Sequence, residues 1–201
     1  MSARRRTTLL AFAGAALGIF GTGCADGPTA PRSAPADAPQ RAMALSATAT
    51  LATAKGLLWT LPATRATVTK VIGRAGGTLS LGGGVTMVVP AGAVASDVSF
   101  SITRVPGMIV AYDFQPHGTR FAVPVRLHLS TAGTVAKLLG STARFEGAYF
   151  LDPSRLNQAT GTAAVSEFRS ASVAADGSSI SYTVDHFSGW MVSTGRLDSI
   201  Y

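Results

Sequence analysis

The chain has 201 residues, 17 basic against 10 acidic, and is 47% hydrophobic with only 13% charged residues. That length holds one domain plus extensions. The scarcity of Glu and Lys and the abundance of Gly, Val, Thr and Ser exclude a mainly helical protein. The basic residues are scattered singly, which excludes a nucleic-acid stripe or a polybasic lipid-binding cluster.

Taken in chain order, residues 1–23 read as a signal peptide. Arg4, Arg5 and Arg6 form a positive head, Thr7 to Phe20 a short apolar run, and Gly21-Thr22-Gly23-Cys24 a processing site. The run is too short for a stable membrane span. Small residues followed by the only cysteine resemble a bacterial lipobox, with Gly21 in place of the usual Leu. Cys24 is therefore the expected lipid-attachment residue; the alternative is ordinary cleavage near Ala25. Removal of three arginines leaves 14 basic and 10 acidic residues, a net charge near +4. No cysteine follows Cys24, so the domain must hold together without a disulfide.

Residues 24–66 read as a flexible Ala/Pro/Thr-rich tether, which lacks the apolar residues to build a core. Within it Gly56 to Leu61 is more apolar and is expected to pack as an extra strand; the alternative is a sticky segment that meets a partner. The domain spans 67–193 and a tail 194–201. Gly76 to Leu81 reads as turn then strand, Gly82-Gly83-Gly84 as a second turn and Val85 to Val89 as a second strand, with Pro90 as the stop. Val98, Phe100 and Ile102 alternate with polar residues, as do Val123, Val125, Leu127 and Leu129, the pattern of half-buried strands. Thr134 to Leu139 fits one helical turn. Phe145–Leu151, Val165–Val173, Ile180–Val184 and Trp190–Val192 complete the strands, with Asp176-Gly177 as a hairpin signal. The expected fold is all-β, a single β-sandwich domain after a signal peptide and a disordered tether.

Three stretches resemble the ZU-five domain family of ankyrins, zonula occludens proteins and netrin receptors, here as a bacterial exported member. They are Gly76 to Val94, Gln115 to Leu129 and Val184 to Val192. The resemblance covers about 125 residues, a normal domain size. It implies the sandwich fold and a tendency toward protein contacts. Ankyrin repeats, a death domain and a second sandwich are missing, so the partners of animal members do not carry over.

Some relatives of that domain cleave themselves at a His-Phe-Ser motif, matched here by His186, Phe187 and Ser188. In that reading the Ser188 hydroxyl attacks the Phe187 carbonyl, His186 takes the proton, and Gly189 permits an unusual backbone conformation. The alternative is plain strand, with Val184, His186 and Ser188 on one face and Asp185, Phe187 and Gly189 on the other. His117, His128 and His186 lack zinc-ligand spacing, and Asp152 and Asp185 read as isolated carboxylates. Neither a metal nor a cofactor is expected, and no small-molecule substrate.

Together these readings imply a non-enzymatic envelope lipoprotein. It would be held to the membrane through Cys24 in the periplasm or at the cell surface, and bind an envelope or extracellular protein. Self-processing between Phe187 and Ser188 is the alternative. A carbohydrate-binding module is the third, and would need Tyr112, Tyr149 and Trp59 to share one exposed patch.

Overall fold

The computed structural model describes residues 51–140 and 143–197. The expected signal peptide, Cys24 and the first part of the tether lie outside the described residues, as does the end of the tail. The described chain is all-β. It begins with β1 (Ala52–Gly56), β2 (Leu58–Ala63), β3 (Ala66–Ile72), β4 (Gly77–Leu81) and β5 (Val85–Val89). There follow β6 (Val98–Arg104), β7 (Gly107–Ile109), β8 (Ala111–Gln115) and β9 (Arg120–Ser130). Next come a 3-10 turn at Val135–Leu138, β10 (Glu146–Phe150), a second at Pro153–Arg155, β11 (Leu156–Asn157) and β12 (Thr162–Val165). The last strands are β13 (Glu167–Ser170), β14 (Ser172–Val173), β15 (Ser179–His186) and β16 (Gly189–Arg196).

Two antiparallel sheets carry the fold in a sandwich-like arrangement. One has nine strands along the path β11-β12-β1-β16-β8-β6-β3, with β10 joining β16 to β13. The other has five in the order β14-β15-β9-β5-β4, and β2 pairs separately with β7. Period-2 patterning explains the packing. Phe100 and Ile102 of β6 and Val125, Leu127 and Leu129 of β9 point into one shared core. Rings bridge the sheets there: Phe100 lies 5.9 Å from Phe121 and Tyr182 5.9 Å from Trp190. A second cluster, with Ile109, Phe150, Val165 and Met191, covers the other face of the nine-stranded sheet. Residues 189–193 of β16 are accordingly buried on both faces.

Four expectations need correction. The tether does not reach residue 66: β1 sits inside the larger sheet, pairing with both β12 and β16. The domain does not stop at 193 either, because β16 runs to Arg196 and the Leu197 N–H donates to the Thr53 carbonyl. Val165–Val173 is not one strand. The chain turns at Ser166, whose N–H donates to the Tyr149 carbonyl, and crosses between sheets near Ala171. Val123 does not face the core, being 40% exposed, because β9 slips past β15 where the ladder jumps from Val125 to Arg120. The helical turn is present, capped by Thr134, and the hairpin after β14 has Gly177 at φ 70°.

Candidate functional site

His186, Phe187 and Ser188 occupy the crossing from β15 in the smaller sheet to β16 in the larger one. Neither pure strand alternation nor a strained backbone describes them. An irregularity in pairing between Val184 and His186 resets the alternation, so Val184 and Phe187, three residues apart, are both buried at 1% exposure. Phe187 lies 4.6 Å from Phe121, 5.2 Å from Phe114 and 5.6 Å from Phe100, centroid to centroid. Gly189 has no left-handed φ. Its role is steric: a Cβ there would collide with the Phe150 ring.

The polar groups of the crossing are already committed. The Ser188 hydroxyl, 2% exposed as a residue, donates to the Leu151 carbonyl at 2.7 Å. The Phe187 carbonyl accepts from the Gly118 N–H at 3.0 Å, so the Pro-His-Gly corner braces the same link. An N–H on that oxygen suits an oxyanion. The other half of the chemistry is not assembled. His186 Nε2 pairs with Glu167 Oε2 at 2.8 Å, and among the described residues no hydrogen bond joins the His186 ring to the Ser188 hydroxyl. A serine without a base in reach is a poor nucleophile.

His186 belongs instead to a network at the open side of the two sheets. Its ring lies 4.7 Å from Tyr149 and 5.6 Å from Trp190. Arg169 of β13 contacts Glu167 and binds Asp185 at 2.7 Å, and Asp185 is 3.8 Å from His186 Nε2. Asp185 is thus not isolated, as its sequence context suggested. Glu167, Asp185 and His186 have the donor types of a cation site. The Arg169 guanidinium already supplies the positive charge there, so the cluster reads as a structural clasp. Sequence reasoning missed Glu167 and Arg169 because they lie on a different sheet from His186.

The remaining histidines have local roles. His117 Nε2 meets Asp113 Oδ1 at 2.7 Å, and His128 Nδ1 meets Ser181 Oγ at 2.8 Å. Tyr112 and Trp59 are buried, and the half-buried Tyr149 ring packs on His186 and Trp190, so the three form no exposed aromatic platform. Two hollows of about 600 and 610 Å³ adjoin along the short edge strand β14, sharing Ala143, Phe145 and Val173. No known family model matches the chain, and no curated protein matches it.

Proposed function

We propose that the protein is an exported envelope lipoprotein whose ZU-five-like domain binds a protein partner and performs no catalysis. The observation that carries the reading is the pair of adjoining hollows beside β14, with Val173 44% exposed between them. Edge strands with free backbone groups and an apolar hollow alongside accept extended peptide segments. The signal-like N-terminus and Cys24 supply the membrane placement. Self-processing between Phe187 and Ser188 is the second reading. It is favoured by the Gly118 N–H on the Phe187 carbonyl and opposed by the Ser188 hydroxyl's bond to Leu151.

The test is a photo-crosslinking residue at Val173 in the full chain expressed in a bacterial envelope, with one at the exposed Val71 of β3 as control. A discrete protein adduct at 173 only supports the reading. Equal labelling at both sites, or a glycan adduct, overturns it. Intact mass of the same sample reports lipid on Cys24 and whether the chain is whole.

A further inference from the structure

The outward face of the five-stranded sheet carries a row that crosses every strand. Register aligns Ser80 with Thr86, Thr86 with His128, His128 with Ser181, and Ser181 with Ser172. Hydrogen bonds tie parts of it together: Ser80 Oγ to Thr86 Oγ1 at 2.7 Å, and Ser181 Oγ to His128 Nδ1 at 2.8 Å. One step along the strands, Arg126 lies opposite Thr183 and Val88. A hollow of about 410 Å³ opens here, lined by Arg126, His128, Ser172, Ser181 and Thr183 among others.

The hollow has a structural cause. Strand β14 is only two residues long, and the chain leaves through Ala171 and Ser170 toward the other sheet. The edge of β15 beyond Ser181 is therefore uncovered. The Ser179 carbonyl accepts from the Ala174 N–H on the β14 side, so antiparallel alternation aims the Thr183 N–H into the notch as well.

Catalysis by the Ser181–His128 pair is disfavoured by the same regularity. On a flat sheet the backbone N–H groups lie in the plane, so the Ser181 hydroxyl has no oxyanion hole above it. What the hollow offers is donors. Arg126 makes no ion pair or hydrogen bond within the described residues, whereas Arg155, Arg169 and Arg196 are each held by carboxylates. No carboxylate lines the hollow among the described residues.

We infer that this hollow binds a phosphate group carried by a soluble, hydroxyl-bearing molecule, with the Arg126 fork as the principal contact. The Ser172 hydroxyl already donates to the Ser181 carbonyl, so the free donors are the Arg126 guanidinium of β9 and the Thr183 N–H of β15, and a guanidinium fork matches phosphate oxygens in two parallel bonds. The hydroxyl row faces the rest of the ligand. A lipid headgroup is the less fitting source, because one basic residue adds only about 1 kcal/mol of attraction to an anionic surface.

The experiment is amide NMR of the full chain, titrated in turn with inorganic phosphate, glycerol 3-phosphate and phosphatidylglycerol vesicles. Saturable shifts are expected at Arg126, His128, Ser181 and Thr183, stronger with glycerol 3-phosphate than with phosphate. Arg126→Gln, at an exposed position that keeps the fold, weakens binding by about tenfold or more. An unchanged spectrum, binding that survives Arg126→Gln undiminished, or binding to vesicles alone overturns the inference.

Discussion

Replacing Phe187 tests whether the His-Phe-Ser crossing is a structural seam. The ring is 1% exposed and touches three other rings at 4.6, 5.2 and 5.6 Å, drawn from β6, β8 and β9. Truncating a buried Phe to Ala costs about 3–5 kcal/mol, and each lost edge or tilted ring pair belongs to the upper part of that range. We therefore expect Phe187→Ala to lose about 4–5 kcal/mol, a large share of a domain stability of about 5–15 kcal/mol. Phe187→Leu keeps most of the apolar volume and loses the ring pairs, for about 1–2 kcal/mol. Urea unfolding followed by Trp fluorescence measures both, with the slope unchanged if only stability moves. A Phe187→Ala loss below about 2 kcal/mol would refute the reasoning that this ring joins the two sheets.

Further outcomes follow from other sites. Ser188→Ala removes the hydrogen bond to the Leu151 carbonyl and should cost about 0.5–1.5 kcal/mol in the same assay, with intact mass showing one unbroken chain before and after. Gly189→Ala should cost about 1–3 kcal/mol by collision with Phe150, and a Phe150→Leu partner should recover part of it; additivity in that double-mutant cycle would count against the collision. Burial holds the Tyr112 and Tyr182 phenols above their ordinary value of 10.0. The unfolded chain then releases protons near pH 10 that the fold retains, so the phenols' contribution to stability is constant below that pH and falls above it, by about 1.4 kcal/mol per pH unit for each phenol. Alkaline unfolding curves should show this slope, and the Tyr112→Phe, Tyr182→Phe double variant should flatten it. Finally, a chain starting at Leu51 should unfold cooperatively, whereas one starting at Thr67 lacks β1 from the middle of the larger sheet and should give no sharp thermal transition.

Strands with a strong hydrophobic beat were legible in the sequence. Val98 to Thr103 alternates cleanly because one face meets the core and the other meets water, and Asp176-Gly177 marks a turn that only a small residue at φ 70° closes readily. Strand β1 was not legible. Its sequence, Ala-Thr-Ala-Lys-Gly, has the composition of the preceding tether, yet Ala54 is 0% exposed. Small residues fit there because side chains pack tightly over the strand: a Cβ on Gly56 would lie 2.8 Å from the Ile109 side chain. The clasp around His186 was hidden for another reason. Glu167 and Arg169 reach it from the edge of the opposite sheet, and separation along the chain carries no sign of that meeting. Pairing irregularities are equally silent, so the strict alternation drawn through Val184 to Gly189 failed at the point where β15 leaves its ladder.

The position of β1 also decides how the domain answers a mechanical load. Drag on the body of the domain, resisted by chain on the N-terminal side of Leu51, pulls β1 lengthwise between β12 and β16. Ladder bonds loaded in that direction stretch together, so rupture needs many to fail at once. Opposed forces on the two chain ends act differently. Ala54 lies beside Arg196, so both forces enter at one corner and open the β1–β16 pair a bond at a time. The same strand is a strong mooring in one geometry and a zipper in the other.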